Sequence, residues 1–360
     1  RFEIAVHQLK NDSIEEAIDR LSNTEFDLEK DMLIRVQLLP LETNQHLLLF
    51  STHHIMMDGL SLEIFIKEFI QNYNQSTPDR TQENSLKLQF KDYSEWLNKT
   101  VKEDQSKNEL FWKNYLQNYT PKNSFDRDFS IQNNKQNGSS LSFELTEEVT
   151  FLLKNLAAEN QMTFYTLLVA SVNVLIYKLS NHSDICIGTV NSGRNSYELN
   201  NQIGMFVKTL VLRTQIQAEQ SFTDVWENVN HNLLEINNYQ NLPLDKITPD
   251  IFDLMLVYQN PEFNFENTIE LDELKLTSYP IESKFSRIPI VFNLFESEHQ
   301  LKGTIDYNSD LFEEDTIQMI VSEFGKMLNE IVVNPLRKIG EIYDKLEQEI
   351  NTTLDFDFNF

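Results

Sequence analysis

Ser51-Thr52-His53-His54-Ile55-Met56-Met57-Asp58-Gly59-Leu60-Ser61 joins two different periodicities. Before it, residues 46–51 run apolar as a strand does; after it, Leu60, Ile64, Phe65 and Phe69 fall at helical spacing through Tyr73. The stretch therefore reads as strand, turn, helix, a place where a rigid scaffold presents side chains to a cleft. A histidine there can take or give a proton near neutral pH. Asp58 can fix the turn through a charge-assisted hydrogen bond, and Gly59 permits a sharp backbone and the close approach of a substrate. Three readings stay open on these residues alone: a catalytic base, a structural pair and a metal site. Metal is disfavoured because adjacent histidines on a strand point to opposite faces.

Outward from this stretch the pattern is mixed α/β. Towards the N-terminus, residues 2–6 and 33–39 read as strands, with a short helix over 13–21 that Ser13 caps. Towards the C-terminus comes a polar helix over 91–118 carrying Trp96 and Trp112. Residues 121–140, rich in Asn, Ser, Asp and Gln, read as a linker. A second half then opens with a strand at 141–145 and a helix capped by Thr146. A buried helix follows with the stripe Phe164, Leu167, Leu168, Val172, Leu175 and Ile176. Strands are expected at 184–190, 205–213, 252–258, 288–295 and 301–308, with helices over 221–239 and around Ile317 to Ile331. The expected division is a first lobe with linker over 1–138, a second over 139–345, and the start of a linker to a following domain over 346–360. A length of 360 residues agrees with two such units.

Composition narrows the function classes. Against 30 Lys and Arg stand 56 Asp and Glu, a net charge of −26, so phosphate backbones and anionic membranes are poor partners. No apolar run approaches the ~18 residues of a membrane span, and no signal-peptide pattern opens the chain. Cys186 is the one cysteine and reads as a buried strand thiol, which points to a reducing cytoplasm and excludes an internal disulfide or a cysteine-based metal cluster. The sequence holds no Gly-x-Ser-x-Gly elbow, Walker loop or dinucleotide fingerprint. His7, His46, His182, His231 and His299 are isolated and read as solvated or structural.

His53 to Gly59 resembles the HHxxxDG signature of nonribosomal peptide synthetase condensation domains, within the chloramphenicol acetyltransferase-like superfamily. Phe90-Lys91-Asp92-Tyr93-Ser94-Glu95-Trp96 is similar to that family's YxDYAxWQ-type segment. Ile187 to Arg194 (IGTVNSGR) is similar to its IGTPxAGR, and Ile203 to Arg213 to its IGMFVNTLALR, with Lys208 for the usual Asn. Gln240 to Ile247 is similar to its QxxPFEKL-type segment. The resemblance implies two acetyltransferase-like lobes forming a V-shaped pseudo-dimer with a central tunnel. It implies amide formation between an acyl or peptidyl thioester on an upstream carrier and the amine of an aminoacyl group on a downstream carrier. Both would ride on 4'-phosphopantetheine arms; the domain would need no cofactor or metal of its own, and its partners would be peptidyl carrier domains and an adjacent adenylation domain.

His54 is then the catalytic residue, as base or as positioner of the amine, with His53, Asp58 and Gly59 beside it, and Ser61 and Asn293 at the substrate. Gly59-Leu60-Ser61 is unlike the Ser-Trp-Arg continuation of epimerisation domains. Heterocyclisation domains replace the two histidines with aspartate, and plant-type acyltransferases carry a DFGWG segment absent here. Alternatives are a silent carrier-docking domain and a stand-alone acyltransferase.

Two departures carry expectations. The motif begins at residue 53, and the RHExLRT-type segment, whose arginine usually pairs with the motif aspartate, is missing. The chain is therefore expected to be a fragment of a larger synthetase or a truncated gene product, in which Asp58 lacks its partner and the isolated chain is inactive. Residues 283–287 (SKFSR) stand where many relatives read KFDL.

Overall fold

A computed structural model describes residues 4–6, 13–41, 44–74, 88–130, 136–242, 250–259, 269–271, 273–279, 281, 284–297 and 299–342. The chain forms two compact units, one of residues 1–95, 192–207 and 263–280, the other of residues 96–191, 208–262 and 281–360. This differs from the division expected at residue 138.

In the first unit, β1 (Ala5–Val6) lies parallel to β2 (Ile34–Pro40), which pairs antiparallel with β3 (His46–Thr52). Helix α1 (Ile14–Ser22) starts at a capping box in which Ser13 and Glu16 satisfy each other's backbone N–H. Its buried Ala17, Ile18 and Leu21 cover Leu39 and Leu49 of the sheet. Helix α2 (Gly59–Asn74) follows β3 after a tight turn, and Phe65 stacks on Phe50 at 4.8 Å, fixing helix to strand. Strands β8 (Ile269–Leu271) and β9 (Leu274–Leu276) form a small antiparallel pair, with β8 against α2.

The second unit is a six-stranded sheet in the order β4-β11-β10-β7-β5-β6. Its strands are β4 (Gly138–Glu144), β5 (Asp184–Asn191), β6 (Lys208–Gln215), β7 (Leu254–Gln259), β10 (Ile290–Ser297) and β11 (Gln300–Asn308). Strands β10, β7 and β5 run parallel, and the outer pairs are antiparallel. Along β10, Ile290, Phe292 and Leu294 are buried while Val291, Asn293 and Phe295 are half-buried, the alternation of a sheet covered more fully on one face. Covering it are α4 (Glu147–Glu159), α5 (Phe164–Ser180), α6 (Phe222–Asn237) and α7 (Glu314–Val333).

Helix α5 is buried from Thr166 through Ile176, so its polar side chains bond within the protein. Ser171 and Asn173 donate to the carbonyls four residues back, and Thr166 accepts from the Trp226 indole at 2.9 Å. No described helix is by itself long and apolar enough to cross a membrane.

The expected linker is only partly one. Helix α3 (Phe90–Tyr115) gives its later residues to the second unit, where the Trp112 indole donates to the Tyr239 carbonyl and the Tyr115 hydroxyl bonds both backbone groups of Arg213. Beyond it, the Ser124 backbone and hydroxyl donate to Asp253, Phe125 is buried, and the Asp128 N–H donates to the Leu311 carbonyl. Polar composition misled here because these polar groups are spent inside the protein. Asp128 also caps α7: its carboxylate accepts from the Glu313 N–H at 2.8 Å and the Thr316 hydroxyl at 2.9 Å, a service Glu313 does not perform for itself. The expected strand over 205–213 begins only at Lys208, since Phe206 and Val207 send their N–H groups to Asp58. Residues 243–247 and the linker start expected over 346–360 lie outside the described residues.

Two predictions follow from this packing. Asp128→Ala should lower the unfolding free energy by about 1–2 kcal/mol, as loss of an N-cap does, read as a urea midpoint shift at constant m-value. An unchanged midpoint would mean that the cap contributes nothing. Burial pushes the Cys186 thiol up to about 12, so a thiol reagent at pH 8 should modify the chain only after denaturant is added. Rapid labelling of the native chain would contradict that placement.

Candidate active site

Three features of the first unit build the site: the turn leaving β3, the start of α2, and the loop over residues 202–207. The His54 side chain is exposed. Its Nδ1 lies 2.9 Å from the Met57 carbonyl. A carbonyl can only accept, so Nδ1 carries the proton, and in the neutral ring Nε2 presents a lone pair. His53 is wired the other way. Its Nδ1 accepts the Ile55 N–H at 3.1 Å, and its ring meets Phe26 edge-on at 6.1 Å. The two neighbours therefore hold opposite tautomers, which suits one to accept a proton at Nε2 and the other to brace the turn.

Asp58 is the electrostatic centre. Its Oδ1 accepts from the Ser61 N–H (2.9 Å), the Ser61 hydroxyl (2.7 Å) and Arg194 Nη2 (3.0 Å); its Oδ2 accepts from the Phe206 and Val207 N–H groups (2.9 and 3.3 Å). The bond to Ser61 is an N-cap of α2. The Asp58 N–H in turn donates to the Gly204 carbonyl at 3.2 Å. With its oxygens spent this way, Asp58 holds the turn and the 202–207 loop together, while Met57 orients His54.

The expectation that Asp58 lacks a partner is overturned: Arg194 supplies it, with both side chains no more than 4% exposed. Arg194 Nη2 also lies 2.8 Å from Ser61 Oγ and 3.1 Å from the Gln202 carbonyl, and its guanidinium rests 4.1 Å from the Phe206 ring centroid. Nε and Nη1 are buried with no hydrogen-bond acceptor among the described residues. Burial lowers the pKa of Arg194 from its ordinary value, and Asp58 works against that shift. Phe206 packs in turn on Tyr93 (4.7 Å) and Phe90 (5.1 Å). Gly204 is required there, because a Cβ would stand 2.1 Å from the Phe90 ring. Gly193 is required too: at φ +67° it brings the chain against the Phe206 carbonyl, with 1.9 Å left for a Cβ.

Ser61, expected at the substrate, is fully buried. Its hydroxyl proton lies between Asp58 and the Gly204 carbonyl (2.8 Å), while its oxygen faces Arg194 and the Gly204 N–H (3.0 Å). It is a fastener of the loop and has nothing left for a ligand. Gly59 opens α2 and is exposed. Asn293 lies in the second unit, on β10, where its amide donates to Asp306 at 2.8 Å, and Asp306 also accepts from the Ser140 hydroxyl. No group of three or more potential metal ligands occurs among the described residues. Two grooves of the second unit, about 440 and 570 Å³, are lined around Arg213 and around Phe151 and contain none of the expected catalytic residues. Sequence reasoning missed Arg194 as a partner although it ends the quoted IGTVNSGR segment. It missed Gln202, whose amide donates to the Leu88 carbonyl at 2.7 Å, because a lone glutamine carries no signal.

The condensation domain family model matches residues 1–350. The chain belongs to the condensation domain family. It is 30% identical over 371 aligned residues to gramicidin S synthase 2 of Aneurinibacillus migulanus, covering 99% of this chain and 8% of that synthase. Among solved structures, holo-AB3403, a four-domain nonribosomal peptide synthetase, matches with a TM-score of 0.80 at 22% identity, covering 95% of this chain and 28% of that one. The X-domain from teicoplanin biosynthesis matches with a TM-score of 0.79 at 21% identity, covering 94% and 80%. The mixed α/β fold is thus the two-lobed acetyltransferase-like fold of condensation domains. The condensation domains of nonribosomal peptide synthetases are amide-bond-forming acyltransferases.

Removing either member of the buried pair should be severe. Arg194→Met and Asp58→Asn should each lose about 3–5 kcal/mol of unfolding free energy, since each leaves buried polar groups uncompensated. The double variant should lose less than the sum by about 1–3 kcal/mol in the same urea titration. Additive losses would show that the two residues act separately.

Proposed function

We propose that this domain joins two carrier-bound groups by an amide bond, with His54 as the proton acceptor. The observation that carries this reading is the exposed His54 ring, locked by the Met57 carbonyl so that Nε2 is the acceptor nitrogen. In the reaction, the amine of an aminoacyl group on a downstream carrier attacks the carbonyl carbon of a thioester on an upstream carrier. The C–N bond forms, the C–S bond breaks, and the upstream phosphopantetheine sulfur leaves as a thiolate. His54 Nε2 takes the proton that the amine sheds and returns it to the thiolate. Tethering both reactants supplies much of the rate by proximity. Asp58, Arg194 and Ser61 act as positioning residues, holding the turn that carries His54; His53 braces that turn. Peptidyl carrier domains and a neighbouring adenylation domain are the partners under this reading, and the cytoplasm is the compartment, in keeping with a single buried thiol.

The test is product formation between two loaded carrier proteins, read by mass spectrometry of the acceptor arm. His54→Ala should cut the rate by about a hundredfold or more, the scale of a lost general base. Unchanged product from His54→Ala would refute the assignment. Transfer from a coenzyme A thioester in place of the carrier-bound one would favour a stand-alone acyltransferase. Carrier binding without any product would favour a docking domain.

A further inference from the structure

The two segments that carry His54 and clasp Asp58 are unlike the rest of the chain. Charged residues make up 24% of the sequence, yet residues 51–62 and 202–207 contain only one, Asp58. That carboxylate is buried and fully engaged. What these two segments expose instead is apolar: Ile55 (48%), Met56 (39%), Leu60 (41%) and Met205 (39%). Ile55 and Met56 follow His54 in a turn closed by the Met56 N–H on the His53 carbonyl. Leu60 is in the first turn of α2. Met205 sits between Gly204 and Phe206, each hydrogen-bonded to Asp58 or Ser61, so the loop holds it beside the same turn. Large apolar side chains left exposed together at a reactive group mark a surface that something apolar covers.

We infer that the acceptor aminoacyl group taken at His54 carries an uncharged, apolar side chain, and that Ile55, Met56, Leu60 and Met205 form its subsite. The inference rests on the proton-accepting role proposed above. An amine held at Nε2 places its own Cβ about 2.5 Å from the reacting nitrogen, so the acceptor's side chain must lie on the surface that surrounds His54. A charged side chain there would lose water and find no free charge on these two segments to pair with, whereas an aliphatic or aromatic one gains by burial. Two of the four residues are methionines, which re-pack around different shapes. The subsite therefore accepts leucyl and phenylalanyl groups alike and rejects aspartyl.

Titration calorimetry on the full chain, with stable leucyl-, phenylalanyl-, aspartyl- and glycyl-pantetheine amides, tests this directly. Leucyl and phenylalanyl probes should bind about tenfold or more tightly than aspartyl. Met56→Glu and Met205→Glu should weaken the leucyl probe while leaving the glycyl probe within about twofold. Leucyl and aspartyl binding within twofold of each other, absence of binding by every probe, or a leucyl preference untouched by both glutamates would each overturn the subsite. Discrimination in binding with no condensation would defeat the proposed reaction alone, and condensation with no discrimination would defeat this inference alone.

Discussion

The site depends on one buried carboxylate. Asp58 gathers five donors from the helix start, the 202–207 loop and Arg194, far from its own position in the chain. Burying a charge is costly unless it is paired and hydrogen-bonded, and this one is both. The consequence is rigidity where it is needed. A turn of six residues between a strand and a helix would otherwise be free to rock, and the His54 ring with it. Held from both ends, the turn presents Nε2 in one direction, and the Met57 carbonyl at 2.9 Å sets which nitrogen that is. The arrangement also separates two tasks often given to one histidine–carboxylate pair. Here the carboxylate holds the backbone, and a main-chain carbonyl selects the tautomer.

The strand–turn–helix at residues 51–61 is legible in the sequence because its periodicity changes within a few residues, and apolar spacing also reveals α5 and α7. Ser13, Thr146 and the apolar run of β5 behave as local chemistry says they should. What stays hidden is long-range. Nothing local in Phe206 and Val207 says that their N–H groups turn away from a sheet to meet a carboxylate at residue 58. Nothing in the polar run after residue 121 says that Ser124 and Asp128 bind Asp253 and the start of α7. Ser61 illustrates the same limit. A serine beside a catalytic motif reads as a substrate contact, and only its complete burial shows it to be a fastener.

Arg194 shows how resemblance and geometry complement each other. The residue stands at the end of a quoted motif segment, yet resemblance directed attention to an arginine elsewhere as the partner of Asp58. The structure brings Arg194 across instead, over the Phe206 ring, with Gly193 and Gly204 making the backbone room for that approach. Small residues, one aromatic platform and one ion pair together form a single clasp. The chain's large negative charge plays little part in it; the segments that build the site expose the apolar side chains of Ile55, Met56, Leu60 and Met205.

The central claim is that His54 is held ready as a proton acceptor before any substrate arrives. Nitrogen-15 spectra of the histidine rings, recorded on the substrate-free chain at a pH where both are neutral, measure this most directly. The account predicts Nδ1–H with a free Nε2 for His54 and the reverse for His53. A spectrum showing the proton of His54 on Nε2, or rapid exchange between the two tautomers, would contradict it.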